Sequence, residues 1–136
     1  MTEQLGRNVL FFQLELAGPA PTEPGGFIGW NWAIDLPTGP GPEYAVVVRW
    51  CTQAMITTCG PGPAHWESAL IAGPTATVNA FPFEVNGATV KAYLDPALIG
   101  DPVAFNWWAV ARLFPGPTGI PPTDLAPNTG SSSYTR

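Results

Sequence analysis

His65 and Glu67 are the residues of this chain best suited to chemistry, and His65 is its only histidine. In an extended segment, residues two apart point to the same side. An imidazole and a carboxylate would then lie together and could work as an acid–base pair. Nucleophilic catalysis needs a third group, a hydroxyl or thiol within reach of the base. No Gly-x-Ser-x-Gly or comparable motif surrounds the pair. The plainer reading is a solvated strand face carrying one His and one Glu, and on that reading no catalysis is expected. Met55 and His65 together form a Met/His set of the kind that ligates haem, although methionine is usually core filler.

Asp35 and Glu43 bracket one Gly/Pro-rich loop, and Asp124 could approach it. Calcium takes about six to eight oxygen ligands, some from backbone carbonyls. These three acids are the metal candidates, and no cofactor is expected unless they hold calcium. Asp95 and Asp101, each before a proline, start turns without any metal. Of the six tryptophans, Trp30, Trp32, Trp50 and Trp107 suit a core. Trp66 and Trp108 are the ligand-binding candidates, because an exposed indole stacks on sugar rings or on a partner's apolar groups. Cys51 and Cys59 end one segment. A hairpin there would bring them within bridging distance, which suits an oxidising compartment. Two buried thiols are the equal alternative.

The elements that must position these groups are strands. Val9 to Ala17 alternates Leu10, Phe12, Leu14 and Leu16 against Phe11, Gln13 and Glu15. Phe27 to Asp35 sets Ile28, Trp30, Trp32 and Ile34 against Asn31, Ala33 and Asp35. Glu43 to Cys51 and Ala64 to Ala72 alternate likewise, with Gln53 to Thr58 a further candidate. Thr75 to Ala80, Phe81 to Val85, Ala88 to Leu94 and Val103 to Phe114 follow, the last apolar on both faces and so expected in the middle of a covered sheet. Asn86-Gly87 predicts a type I′ hairpin. Asp95 to Asp101 predicts one short helical turn. The expected fold is all-β: an antiparallel β-sandwich of about nine strands, jelly-roll or immunoglobulin-like, with Pro/Gly-rich loops. Residues 1–136 form one domain, with 1–8 a polar leader and 115–136 an irregular tail.

Trp32-Ala-Ile-Asp35, Thr38-Gly39 and Glu43-Tyr-Ala-Val-Val-Val resemble the early strands of extracellular sandwich modules. Asn86-Gly-Ala-Thr-Val, Leu98-Ile-Gly-Asp101, Phe105-Asn-Trp-Trp and Asp124-Leu-Ala-Pro-Asn128 resemble their late strands and closing loop. The family is that of the family-nine carbohydrate-binding and DOMON-like sandwiches, and the resemblance spans Phe27 to Asn128. It implies sugar or haem binding, or a surface role, and in some members calcium in the early loop. The chain departs from the pattern where Pro37 stands in place of a second acid after Asp35.

Only 11% of residues are charged, against about 25% in a typical domain, and net charge is −5. Lys91 is the one lysine. Nucleic acid and anionic membrane surfaces are poor partners for such a chain. No run reaches the roughly 18 apolar residues of a membrane span, so membrane insertion is not expected. The N-terminal residues do not read as a secretory signal, yet the neutral surface suits an extracellular or cell-surface protein. The function expected is a non-catalytic structural or surface subunit that self-associates or packs into a filament, surface layer or particle decoration. The alternative is a module binding carbohydrate or another ligand, stabilised by calcium. Val9 to Leu16, ahead of the linker Gly18 to Gly26, is a strand that could be exchanged between copies.

Overall fold

Alternating side chains turn most of this chain into strands, and the computed structural model shows where each pairs. It describes residues 2–4, 7–16, 20, 27–37, 39–51, 63–114, 123–126 and 132–135. Among them are β1 (Thr2–Gln4), β2 (Arg7–Glu15), β3 (Phe27–Asp35), β4 (Tyr44–Cys51), β5 (His65–Ala72) and β6 (Thr75–Val78). β7 (Phe83–Asn86), β8 (Thr89–Leu94), β9 (Ala104–Phe114), β10 (Thr123–Ala126) and β11 (Ser132–Thr135) complete the set. All pairings are antiparallel. A four-stranded sheet has the order β1-β2-β8-β7. A seven-stranded sheet runs β10-β9-β3-β4-β5-β6, with β11 also on β9.

The period of two builds the core. Leu10 and Phe12 of β2 and Val90, Ala92 and Leu94 of β8 are buried against Trp30, Trp32 and Ile34 of β3 and Val46 and Val48 of β4. Phe12 and Trp32 meet at 5.5 Å between ring centroids. Each such side chain contributes roughly 1.5–3 kcal/mol when fully buried. The middle of the larger sheet is buried on its second face too, through Ala33, Val47, Ala69 and Val110. β9 accordingly buries Ala109 on one side and Val110 on the other, as its two-sided apolar pattern predicts. The Asp95 to Asp101 turn is a 3₁₀ helix over Pro96–Ile99. Asp95 caps it by accepting from the Ala97 N–H at 3.0 Å, and Ile99 is fully buried.

Four expectations change. Thr2–Gln4 lies in the stretch read as a polar leader, yet it pairs back on Arg7 to Val9. The tail read as irregular supplies β10 and β11, both hydrogen-bonded to β9. The described residues therefore hold eleven strands rather than about nine. The hairpin turn centres on Gly87-Ala88, not Asn86-Gly87, because Asn86 pairs with Thr89. Only Gly87 (φ 59°) is left-handed there, which fits a type II′ turn with glycine first. The candidate strand Gln53 to Thr58 lies outside the described residues, as does most of the linker Gly18 to Gly26.

Candidate functional site

His65 and Glu67 do share a face of β5, but that face is not solvated. Glu67 is fully buried, whereas the His65 side chain keeps about a third of its surface exposed. Register explains the burial. β4 and β5 pair Arg49 with Glu67 and Cys51 with His65, so four polar or reactive groups converge. Glu67 Oε2 accepts from Arg49 Nη2 at 3.0 Å and Nε at 3.2 Å, and Arg49 is itself 5% exposed. His65 Nε2 lies 3.1 Å from Glu67 Oε1, and Nδ1 donates to the Pro63 carbonyl. The Pro63 carbonyl first, and Glu67 second, raise the His65 pKa above its usual value.

Cys51 is disulfide-bonded, and the chain's other cysteine, Cys59, lies outside the described residues. Cys51 Sγ sits 3.1 Å from Glu67 Oε2. The cluster is thus a buried ion pair sealed by a partly exposed histidine. Met55, the other half of the haem-ligand idea, also lies outside the described residues.

Glu43 acts as a clamp. Its Oε2 accepts from the Leu36 N–H at 2.7 Å and its Oε1 from the Gly41 N–H at 2.9 Å. These backbone donors, Leu36 foremost, lower its pKa. Asp35 closes the same loop from the other side: a Cβ on Gly41 would stand 1.7 Å from its Oδ1, and Gly41 is also left-handed (φ 48°). Asp124 does not join them. Asp35 is level with Asn106 on β9, whereas Asp124 is level with Ala111. Five positions separate them along the sheet, roughly 17 Å at about 3.4 Å per residue. Among the described residues no three His, Cys, Asp or Glu side chains gather as a metal site.

The two candidate tryptophans part company. Trp66 packs against the core, stacked on Trp30 at 5.3 Å and edge-on to Trp50 at 5.3 Å. Trp108 lines an open hollow of about 370 Å³ with Asn31, Pro42, Glu43 and Ile71, on the far face of the larger sheet.

A site that the strand pattern alone does not reveal lies beside β2. A cleft of about 280 Å³ is lined by Leu10 to Gln13 of β2, Trp32 of β3, Phe105 and Trp107 of β9, and Tyr134 of β11. Phe105 and Tyr134 stack at 4.7 Å. Phe11 leans on Tyr93 at 5.3 Å. Aromatic rings therefore line both sides of the cleft, with the Gln13 amide among them. The alternation of Leu10 and Phe12 is legible in the sequence. Their approach to Tyr134 depends on β11 pairing with β9, which no local motif announces. No family model, curated protein or solved structure matches this chain.

Proposed function

We propose that this protein is a non-catalytic binding module built on a two-sheet sandwich, and that its ligand site is the aromatic cleft between β2 and the β9–β11 pair. The observation that carries the reading is the cleft's lining. Six aromatic residues, Leu10 and Gln13 surround about 280 Å³, and no charged side chain takes part. Concave, mostly apolar sites with a few polar groups are the usual form of a ligand site.

Two further features support a non-catalytic role. Glu67 is held by Arg49 and His65 in a buried cluster, which leaves it poorly placed as a base for a bound substrate. Cys51 is oxidised and so is no nucleophile. A self-associating structural subunit is the second reading. It is favoured by the charge-poor composition and by the second edge of β2 from Phe11 to Glu15, which has no strand partner among the described residues. Against it, the large apolar side chains exposed among the described residues are only Leu98 and Val103, short of the broad patch that assembly surfaces show. Carbohydrate is one ligand class to test, at the cleft and at the Trp108 hollow. The test is a tryptophan-fluorescence titration with soluble oligosaccharides and small aromatic compounds, repeated on Tyr134→Ala. Saturable binding weakened by Tyr134→Ala supports the cleft. Binding that is indifferent to the substitution refutes it.

A further inference from the structure

We propose that the cleft takes an extended peptide that adds as a strand to the open edge of β2, a deepening that rests on the binding-module reading above. Among the described residues, β8 covers one edge of β2 from Leu10 to Glu15, while β1 covers the other only from Arg7 to Val9. Successive residues of a strand direct their backbone groups to opposite edges. Leu16 donates its N–H to the Ala88 carbonyl, so Leu14, Phe12 and Leu10 also face β8. The N–H and C=O groups of Phe11, Gln13 and Glu15 therefore face the open edge. β2 itself carries no lysine or proline and its register on β8 is unbroken, although edges are usually protected by such devices.

The edge and the cleft are one feature. A strand laid against Phe11 to Glu15 would send every second side chain inward, over Trp32, Phe105 and Tyr134. The volume, about 280 Å³, falls just below the range of drug-sized ligands and suits a pair of apolar side chains. The remaining side chains would lie outside, beside Phe11 and Glu15. Glu15 is exposed, and its carboxylate accepts from Gln13 Nε2 at 2.6 Å and Thr89 Oγ1 at 3.2 Å. Those donors are neutral, so its charge is uncompensated by them. The occupant is thus a peptide with apolar residues at alternate positions and a basic residue on the outer face opposite Glu15. A second copy of β2 fits worse. Its Leu10 and Phe12 are already buried in their own core, and it would bring a second Glu15 and a like net charge.

The experiment uses the full chain and a synthetic seven-residue peptide that alternates leucine with threonine and carries one lysine at an outward position. Calorimetry measures affinity, and amide spectra locate the site. The expected result is saturable binding, with shifts at Phe11, Gln13 and Glu15. N-methylation of the peptide's edge-facing amides should cost roughly tenfold or more, since it removes two or more backbone bonds. Glu15→Gln should weaken the lysine peptide roughly twofold to fivefold, and Gln13→Pro should abolish binding at an edge position that tolerates proline. Equal affinity for the N-methylated peptide, or no binding, overturns the proposal, and neither outcome depends on a variant folding. Saturable binding of a small aromatic compound or oligosaccharide in the cleft, without peptide binding, overturns the peptide class alone and leaves the binding module standing. A dimer in sedimentation that buries the β2 edge overturns it in favour of self-pairing.

Discussion

Replacing Glu67 with glutamine removes one charge from the buried cluster and leaves its shape nearly intact. The structure sets the size of the effect. Among its contacts, Glu67 accepts two charge-assisted bonds from Arg49 and lies 3.1 Å from His65 Nε2, with its side chain wholly inaccessible. Arg49 is 5% exposed, and its guanidinium keeps its charge whatever stands at position 67. Breaking a buried ion pair by removing one partner costs about 3–5 kcal/mol, because the remaining charge keeps its desolvation penalty. For a domain of this size that lowers Tm by roughly 10–20 °C. Urea denaturation at neutral pH measures it, alongside Arg49→Met and the double variant Arg49→Met/Glu67→Leu. The double variant should be more stable than either charge-breaking single, since neither charge of the buried pair then remains. A loss below about 1 kcal/mol for Glu67→Gln, or a double variant no better than the singles, would refute the reasoning.

Other perturbations follow from the same geometry. His65 has a raised pKa in the folded state. Its protonated form therefore adds stability that is complete below about 6.5 and lost as pH rises through the folded value. His65→Gln should flatten that decline in a pH series of melts. Gly41→Ala should cost about 1–3 kcal/mol in chemical denaturation, because a Cβ would meet Asp35 and the backbone is left-handed there. Calcium or chelator should leave Tm unchanged, since both Glu43 oxygens already bind backbone N–H groups and Asp124 is remote. A rise with calcium would place a metal at Asp35.

Much of the strand layout is legible in the residues. Phe27 to Asp35 alternates without interruption, and β3 has those very ends. Val103 to Phe114 is apolar on both sides because Ala109 and Val110 enter different buried layers. The failures are physical. Thr2-Glu-Gln4 carries no apolar face, so only its pairing with Arg7 to Val9 marks it as a strand. Ser132 to Thr135 is four residues long and held by Tyr134 on Phe105, a contact remote in sequence. Glu67 reads as a solvated residue because a sequence does not show which outer face is covered. Its partner Arg49 emerges only from the β4–β5 register, which the segment between these strands obscures. The cleft needs the order of strands in both sheets, information that no single segment contains.

The most direct measurement for the cleft uses the six tryptophan indole N–H groups as position markers in a two-dimensional nitrogen–proton spectrum. Trp32 and Trp107 line the cleft, Trp108 lines the hollow on the opposite face, and Trp30, Trp50 and Trp66 pack together elsewhere. Titration with p-cresol, a small aromatic probe, should shift the Trp32 and Trp107 signals saturably and leave the other four in place. Shifts confined to Trp108, or no saturable shift at any indole, would contradict the assignment of the binding site.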